Sequence, residues 1–157
     1  MKSRAVFPGS FDPVTIGHYD VVLRASKIFA EVIVLVMNNA EKKCMFTAEE
    51  RVELCRAAFS DMDNVRVEVT EGLLADYAEA EDAVIVKGVR GSGDVDYEMG
   101  LYSINRQIAD CETVFFPSKA EYSHISSTYA REMIRYKGKL RGVLPKKTEK
   151  IIKSIIK

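Results

Sequence analysis

The sequence predicts an α/β fold in which a doubly wound, parallel sheet of five strands carries helices on both faces. Two observations lead to this prediction. Short apolar runs alternate along the chain with segments of helical periodicity, and most of these runs are continuous, with no polar face. Continuous β-branched runs are typical of strands that are covered on both sides, as in a parallel sheet. Right-handed crossovers between such strands place helices on both faces.

The predicted strands are short and mostly apolar. They cover residues 4–7, 32–37, 65–69, 83–86 and 113–116. The first strand ends at Pro8-Gly9, and the third alternates valine with charged residues, whereas the others are continuous.

Helical periodicity fills the intervals between these strands. Six helices are predicted. The first contains residues 21–29, and the second begins after Thr47. The other four cover 73–80, about 96–109, 127 to about 136, and the tail from 147. Thr47 and Glu50 have the spacing of a capping box, in which two side chains satisfy free N–H groups at a helix start. The isoleucines of the tail share one stripe, which fits either the core or a subunit contact.

Composition and charge exclude several classes of protein. The 157 residues suit a single domain, 1–157, and 23 basic against 23 acidic residues argue against a general nucleic-acid binder. No apolar run reaches the length of a membrane span, so no membrane partner is expected. Three widely spaced cysteines form neither a metal pattern nor a disulfide framework, which favours a reducing, cytoplasmic location.

The string from Pro8 to His18 is the first candidate site. It follows the first strand and opens a helix, so it lies where doubly wound sheets bind ligands. Gly9 allows a ligand to approach the backbone closely, and His18 lies near a helix N-terminus, which favours anions. Considered alone, the Pro-Gly pair is consistent with a simple turn, and His18 alone is consistent with a histidine that has only a structural role. The whole string is far more specific than its parts.

Three later segments carry similar chemistry. Lys42 lies in a polar loop after the second strand, and by itself it fits a solvated surface lysine. The run 87–90 follows the fourth strand and ends in Arg90, which also fits a surface salt bridge. The hydroxyl run 126–128 opens a late helix, where phosphates bind well, although Ser127 or Thr128 could simply cap that helix.

The stretch after Arg90 is glycine-rich and acidic. We interpret 91–93 as a mobile loop, because the P-loop pattern is absent. Asp94 and Asp96 are interpreted as negative charges at a helix N-terminus, which the helix dipole favours.

Two of these strings resemble the signatures of the nucleotidyltransferases. Thr15-Ile16-Gly17-His18 is similar to their (T/H)xGH signature, and Ile125-Ser126-Ser127-Thr128 is similar to their serine-rich ISSS signature. The two occur in the expected order, at opposite ends of the chain. Within that superfamily, the sequence resembles the bacterial phosphopantetheine adenylyltransferases. The segments that carry this likeness are 8–18, 42–47, 87–90, 94–98 and 117–119.

The resemblance implies an activity. Such an enzyme transfers the adenylyl group of ATP to 4′-phosphopantetheine, giving dephospho-coenzyme A and pyrophosphate in coenzyme A synthesis. The acceptor phosphate attacks in line, without a covalent enzyme intermediate. The resemblance further implies a Rossmann-like sheet, a cytoplasmic homohexamer and a requirement for Mg²⁺. No dedicated cage of carboxylates is visible in the sequence, so Mg²⁺ is expected to arrive with ATP.

The matching positions imply roles for individual residues. The implied catalytic residues are His18 at an α-phosphate oxygen, Ser10 between the reacting phosphates, and Lys42 at the acceptor phosphate. The implied ATP-binding residues are Ser10, Phe11 (through its backbone), His18, Gly88, Val89, Arg90, Glu98, Tyr122, Ser123, His124, Ile125, Ser126, Ser127 and Thr128. The implied acceptor-binding residues are Ser10, Lys42, Leu74 and Lys87. His124 has no family role of its own and is expected at the surface.

The chain departs from the usual family pattern at several of these positions. Ser10 stands where the family usually has threonine, and Lys87 stands where it often has arginine. Tyr122 and Thr128 stand where the family often has tryptophan and a third serine. Since lysine does not grip a phosphate bidentately, we expect the contact of Lys87 to be weaker or re-aimed.

Two other functions fit parts of the pattern. One is a related nucleotidyltransferase with another phosphorylated acceptor, such as nicotinamide mononucleotide or glycerol phosphate. The other is a nucleotide-binding protein without activity. The strings 42–47 and 87–98 favour phosphopantetheine, and the intact His18, Lys42 and Arg90 favour an active enzyme.

Overall fold

Five parallel strands form the centre of the computed structural model, which describes residues 3–39 and 41–156. They are β1 (Arg4–Gly9), β2 (Glu31–Met37), β3 (Val65–Thr70), β4 (Ala83–Val89) and β5 (Thr113–Pro117). Their order across the sheet is β3-β2-β1-β4-β5. The direction of winding therefore reverses between β1 and β4, and such a reversal opens a ligand-binding crevice at the carboxyl ends of the strands.

Within the described residues, six α-helices connect or follow these strands. They are α1 (Ile16–Ala25), α2 (Ala48–Phe59), α3 (Leu74–Ala80), α4 (Ser92–Ile108), α5 (Ser127–Arg135) and α6 (Lys146–Ile155), with a 3₁₀ turn at Ala120–Tyr122. The capping box predicted for α2 is present. Thr47 Oγ1 accepts from Glu50 N–H at 3.2 Å, and Glu50 Oε2 accepts from Thr47 N–H at 2.8 Å.

Helices cover both faces of the sheet, as predicted, because side chains alternate across each strand. In β1, Ala5 and Phe7 belong to a core with residues of α1, α2, α5 and α6. Val6 belongs to a second core with residues of α3. The longest helix, α4, buries none of its side chains fully. No helix of the described residues combines the length and the apolarity that crossing a membrane would require.

Two predicted boundaries at the carboxyl end of β4 are wrong. Lys87, Gly88 and Val89 continue the strand instead of following it, because they pair with 115–117 of β5. Gly91 is the N-cap of α4 and residues 92 and 93 begin that helix, so 91–93 do not form the predicted loop. Asp94, in the first turn as predicted, accepts a hydrogen bond from Arg90 N–H at 2.9 Å and pairs with its guanidinium at 3.0 Å. These contacts join the strand end directly to the helix.

The isoleucine stripe of α6 divides between the core and the surface. Ile152 is completely buried, whereas Ile155 and Ile156 remain about 40% exposed. The inner half of the stripe is therefore core, and the outer half is free for another contact.

Candidate active site

The loop between β1 and α1 is braced by aromatic packing. Phe11 has a φ of +48°, a left-handed conformation that is uncommon for a bulky residue. Its buried ring packs against Phe7 and His18, with ring centroids 5.7 and 5.1 Å apart. A Cβ at Gly9 would lie 3.0 Å from the Phe11 ring. Gly9 thus serves the packing of Phe11, whereas the sequence interpretation assigned it to ligand approach.

The orientation of His18 is set by the start of α1. Thr15 N–H donates to His18 Nδ1 at 3.0 Å, and Thr15 Oγ1 accepts from His18 N–H at 3.4 Å. These two bonds form a reciprocal cap. Because Nδ1 accepts, a neutral His18 carries its proton on Nε2. The ring therefore offers an N–H donor to a ligand.

The charge state of His18 follows from its surroundings. Burial of the ring, together with the positive charge of Arg90, lowers the pKa of His18 to about 4. The imidazole is therefore neutral at physiological pH. It acts as a hydrogen-bond donor that adds no charge to the site.

One cleft of about 350 Å³ brings the two signature segments together. Its lining residues from these segments are Thr15, Gly17, His18, Ile125, Ser126 and Ser127. Two hydrogen bonds hold the segments at this spacing. Ser127 Oγ donates to Pro13 O at 2.9 Å, and the Arg131 guanidinium donates to Asp12 O at 2.9 Å. Segments more than 100 positions apart in the printed sequence thus share one cavity.

The start of α5 differs in detail from its prediction. Ser126, not Ser127 or Thr128, is the N-cap, and its Oγ accepts from Tyr129 N–H at 3.1 Å. Thr128 Oγ1 accepts from Arg131 at 3.1 Å. The hydroxyls are therefore engaged within the protein. The first N–H groups of a helix have no intrahelical acceptor and carry partial positive charge, so they are what the cleft offers to an anion.

A third wall of the cleft comes from β4 and α4. Lys87, Gly88, Arg90 and Glu98 line it, as do Asp94 and Tyr97. Lys87 Nζ lies 3.1 Å from Glu98 Oε2, and both side chains are mostly buried. A residue implied for the acceptor, Lys87, and a residue implied for ATP, Glu98, are therefore paired with each other. The positive charge of the mostly buried Lys87 is therefore balanced by the Glu98 carboxylate.

Lys42 and Ser10 meet beside this cleft. Lys42 Nζ donates to Ser10 Oγ at 2.9 Å. Neither residue is among the described residues that line the 350 Å³ cleft, although Ser10 directly follows β1 at its carboxyl end. The buried Asp12 carboxylate accepts from Met45 and Phe46 N–H at 2.8 and 2.9 Å. These bonds fix the end of the loop that carries Lys42.

Arg51 is a residue of this region that the sequence analysis missed. It is 2% exposed, and it donates to Ser10 O and Asn38 Oδ1 at 2.8 Å and to Met37 O at 3.3 Å. No carboxylate of the described chain lies within 4 Å of its guanidinium. The sequence feature that could have revealed Arg51 is its position on the buried stripe of α2, three residues before Leu54 and four before Cys55.

Several residues implied for the site lie outside the cleft. These are Phe11, Leu74, Val89, Ser123, His124 and Thr128. Leu74 is half-buried at the start of α3 and packs against the second core. Ser123 Oγ donates to Ala120 O at 2.9 Å, and His124 is exposed, as expected. Their implied roles toward a ligand stay predictions.

Comparison with known proteins agrees with the resemblance. The family model described as cytidylyltransferase-like matches residues 6–133. A phosphopantetheine adenylyltransferase of Clostridium novyi is 46% identical over 154 residues, covering 97% of this chain and 94% of the relative. Another, from Deinococcus radiodurans, is 46% identical over 148 residues, with 92% and 89% covered.

A solved structure matches the fold. It is a crystal structure of a Vibrio parahaemolyticus protein described as a nicotinate-nucleotide adenylyltransferase, with a TM-score of 0.75 and 20% identity. The match covers 99% of this chain and 94% of that protein, and it supports the Rossmann-like architecture alone. The long alignments at 46% identity go further. They show that the chain belongs to the phosphopantetheine adenylyltransferase family of the cytidylyltransferase-like proteins.

Proposed function

We propose that this protein transfers the adenylyl group of ATP to 4′-phosphopantetheine, giving dephospho-coenzyme A and pyrophosphate. The observation that carries the proposal is the cleft in which both signature segments meet at the carboxyl ends of β1 and β4. In the reaction, a phosphate oxygen of the acceptor forms a bond to the α-phosphorus of ATP. The bond from that phosphorus to the bridging oxygen breaks, and pyrophosphate leaves.

Catalysis of this step requires positioning and charge stabilisation, since the attacking group belongs to the substrate. His18 would donate from Nε2 to an α-phosphate oxygen. Three features support this role: the Nδ1 acceptor bond to Thr15, the lowered pKa, and the position of the ring in the cleft wall. A neutral, fixed donor gains most where negative charge grows in the transition state.

Lys42 and Ser10 would hold the acceptor phosphate. Their bond of 2.9 Å supports a joint role, because a phosphate oxygen can replace either partner. Lysine is a flexible point charge, so it can follow the transferred phosphate during the reaction. Arg51 would hold Ser10 in place by donating a hydrogen bond to the Ser10 carbonyl oxygen.

The remaining walls of the cleft would hold the nucleotide. The free N–H groups at the start of α5 suit the terminal phosphates, Arg90 adds positive charge, and Glu98 would accept from ribose hydroxyls. The pairing of Glu98 with Lys87 at 3.1 Å means that ribose binding would compete for that carboxylate. Lys87 would then be released toward the acceptor phosphate.

Magnesium, assembly and location complete the proposal. No group of three or more His, Cys, Asp or Glu side chains in the described residues could hold a metal, so Mg²⁺ would enter on the phosphates of ATP and supply further charge neutralisation there. A homohexamer is supported by apolar side chains left exposed, including Val69, Leu73 and Ile104. A cytoplasmic location is supported by the three cysteines, none of which forms a disulfide among the described residues.

The test is product detection by mass spectrometry. Purified protein with ATP, Mg²⁺ and 4′-phosphopantetheine should form dephospho-coenzyme A and pyrophosphate in equal amounts. Parallel reactions with nicotinamide mononucleotide and glycerol phosphate should give no adenylylated product. Adenylyl transfer to either of these acceptors, or no transfer at all, would overturn the proposed function.

A further inference from the structure

The segment 118–125 joins β5 to α5 and closes one side of the cleft. Ser118, Tyr122 and Ile125 line the cavity, and the segment has a single 3₁₀ turn of its own. Most of its other side chains are exposed. The segment therefore needs contacts from outside itself to keep Tyr122 at the cleft.

A buried carboxylate on α1 provides such a contact. Asp20 is 4% exposed and lies two positions after His18. Lys119 Nζ lies 2.8 Å from Asp20 Oδ1, and Arg24 Nε lies 3.3 Å from Oδ2. Because a buried charge is costly without a partner, Asp20 strongly favours a position of the segment that brings Lys119 to it.

Lys119 also contacts the part of the segment that lines the cleft. Its ammonium lies 5.9 Å from the centre of the Tyr122 ring, within the range of a cation–π contact. One side chain thus links the helix that carries His18 to the aromatic residue that lines the cavity. The hydrogen bond with Asp20 also raises the pKa of Lys119, so the lysine stays charged.

The beginning of the segment is fixed independently of Lys119. The Arg24 guanidinium donates to Pro117 O at 2.7 Å and lies 5.4 Å from the centre of the Phe116 ring. Ser118 N–H donates to Val89 O at 2.8 Å. Loss of Lys119 should therefore free the part around Tyr122 without detaching β5 from the sheet.

We propose that Asp20 and Lys119 are positioning residues that hold segment 118–125 against the cleft, so that Tyr122 and the start of α5 are aligned for ATP. The inference rests on the proposed function, because it assigns ATP to this cleft. When the pair is broken, the segment spends only part of its time in the competent position, and the apparent affinity for ATP falls by that fraction.

The kinetic test uses a matched control pair elsewhere on the surface. Lys119 and Lys147 are similarly exposed, at 48% and 49%, and Lys147 Nζ lies 2.7 Å from Asp61 Oδ1, away from the cleft. Lys119→Met should raise KM for ATP about tenfold, while kcat and KM for phosphopantetheine change less than about threefold. Lys119→Arg should restore most of the ATP affinity, and Lys147→Met should leave all three constants at their original values.

A fluorescence measurement separates positioning from general stability. The chain has no tryptophan, so Tyr122→Trp introduces a single reporter in the segment. Adding Lys119→Met to this variant should increase quenching of the reporter by acrylamide and weaken its response to ATP, whereas adding Lys147→Met should not. This binding assay needs no acceptor, so it still tests the inference if the wild-type protein proves unable to adenylylate phosphopantetheine.

Two results would overturn the inference. One is that Lys119→Met and Lys147→Met give the same KM for ATP, and the same acrylamide quenching in the Tyr122→Trp background. The other is a fall in melting temperature accompanied by an equal loss of affinity for both substrates, which would mark Asp20 and Lys119 as elements of general stability.

Discussion

The two ends of the parallel sheet carry charge in opposite ways. At the amino end, near the first residues of β1 and β2, arginine and glutamate side chains form a network in which each arginine has carboxylate partners. At the carboxyl end, Lys87 and Arg90 are paired with Glu98 and Asp94. Lys42 and Arg51, by contrast, have no carboxylate partner among the described residues. The difference indicates which cations stabilise the fold and which two are available to an anion.

The amino-end network is internally complete. Arg66 lies 2.8 Å from Glu31 and 2.7 Å from Glu81, and Arg4 pairs with both of these carboxylates as well. Partial burial raises the pKa of Glu31, but hydrogen bonds from Arg4 and Arg66 outweigh this effect and lower it overall. Nothing in this network is left over for a ligand, so its contribution is to stability.

At the carboxyl end, Arg51 and Lys42 lack carboxylate partners in the described part of the chain, whereas such partners complete the amino-end network. The two Nη atoms of Arg51 donate to carbonyl oxygens and an amide, which supply hydrogen bonds but no negative charge, and its buried Nε has no hydrogen-bond partner among the described residues. Lys42 is bonded to a neutral hydroxyl. A buried or half-buried cation without a counter-charge is stabilised when an anion binds. The phosphates of the two proposed substrates would provide that charge.

The largest effect at the carboxyl end is expected from His18→Ala. Loss of one donor to the transferred group should lower kcat by about 10²–10³, since such donors act mainly in the transition state. Affinity for ATP should stay within a few-fold of the wild-type value. Steady-state kinetics with an equilibrium ATP titration would check this. Equal losses in kcat and in ATP affinity would mean that His18 supports the fold or the ground-state nucleotide instead.

A smaller loss is expected from Lys42→Met. Removal of a charged hydrogen bond to the acceptor phosphate should reduce kcat/KM for phosphopantetheine by about tenfold to a hundredfold. KM for ATP should remain nearly constant, and Lys42→Arg should recover part of the activity because the charge is kept. Kinetics with each substrate varied in turn would measure the split. A larger effect on ATP than on the acceptor would contradict the placement of Lys42.

At the amino end, Arg66→Met should affect stability and leave turnover unchanged. Loss of the central arginine of a partly exposed network should lower the free energy of unfolding by about 1 kcal/mol. Arg106→Met is the matched control, because among the described residues Arg106 pairs with the exposed Asp110 and with a backbone carbonyl. Urea titrations at pH 7 would compare the two variants. A fall in kcat with Arg66→Met would contradict the conclusion that the amino-end network contributes to stability and not to turnover.

The smallest effect is a pH dependence that comes from His18. Its folded pKa of about 4 lies below the ordinary histidine value of 6.5. Between these values the unfolded chain binds a proton that the folded protein does not, so His18 makes stability fall as pH decreases through this window. The drop in melting temperature from pH 7.5 to pH 5 should therefore be smaller in His18→Gln than in the wild type. An equal drop in both proteins would mean that His18 is not held neutral.

Much of the fold was predictable because its signals are local. The continuous apolar runs of β2 and β4 predict buried strands, and Thr47 with Glu50 predicts the start of α2. The continuation of β4 was not predictable in this way. Lys87 and Gly88 have no apolar pattern, and they remain in the strand because β5 pairs with them.

The site was predictable in outline but not in its contacts. The two signature strings indicated the cleft, and residues of both line it. Sequence spacing alone did not reveal Arg51, because its partners are two backbone carbonyls, at positions 10 and 37, and the side-chain amide of Asn38. Likewise, Ser126 rather than Ser127 caps α5, because the hydroxyl of Ser127 is engaged by Pro13 O more than 100 positions away in the chain.

The most direct measurement is a crystal structure with the non-reactive analogue α,β-methylene-ATP. A single triphosphate should lie between the two signature segments, with an α-phosphate oxygen about 3 Å from His18 Nε2. Its terminal phosphates should contact the first N–H groups of α5. A triphosphate bound elsewhere, or one that touches only one of the two segments, would contradict the account.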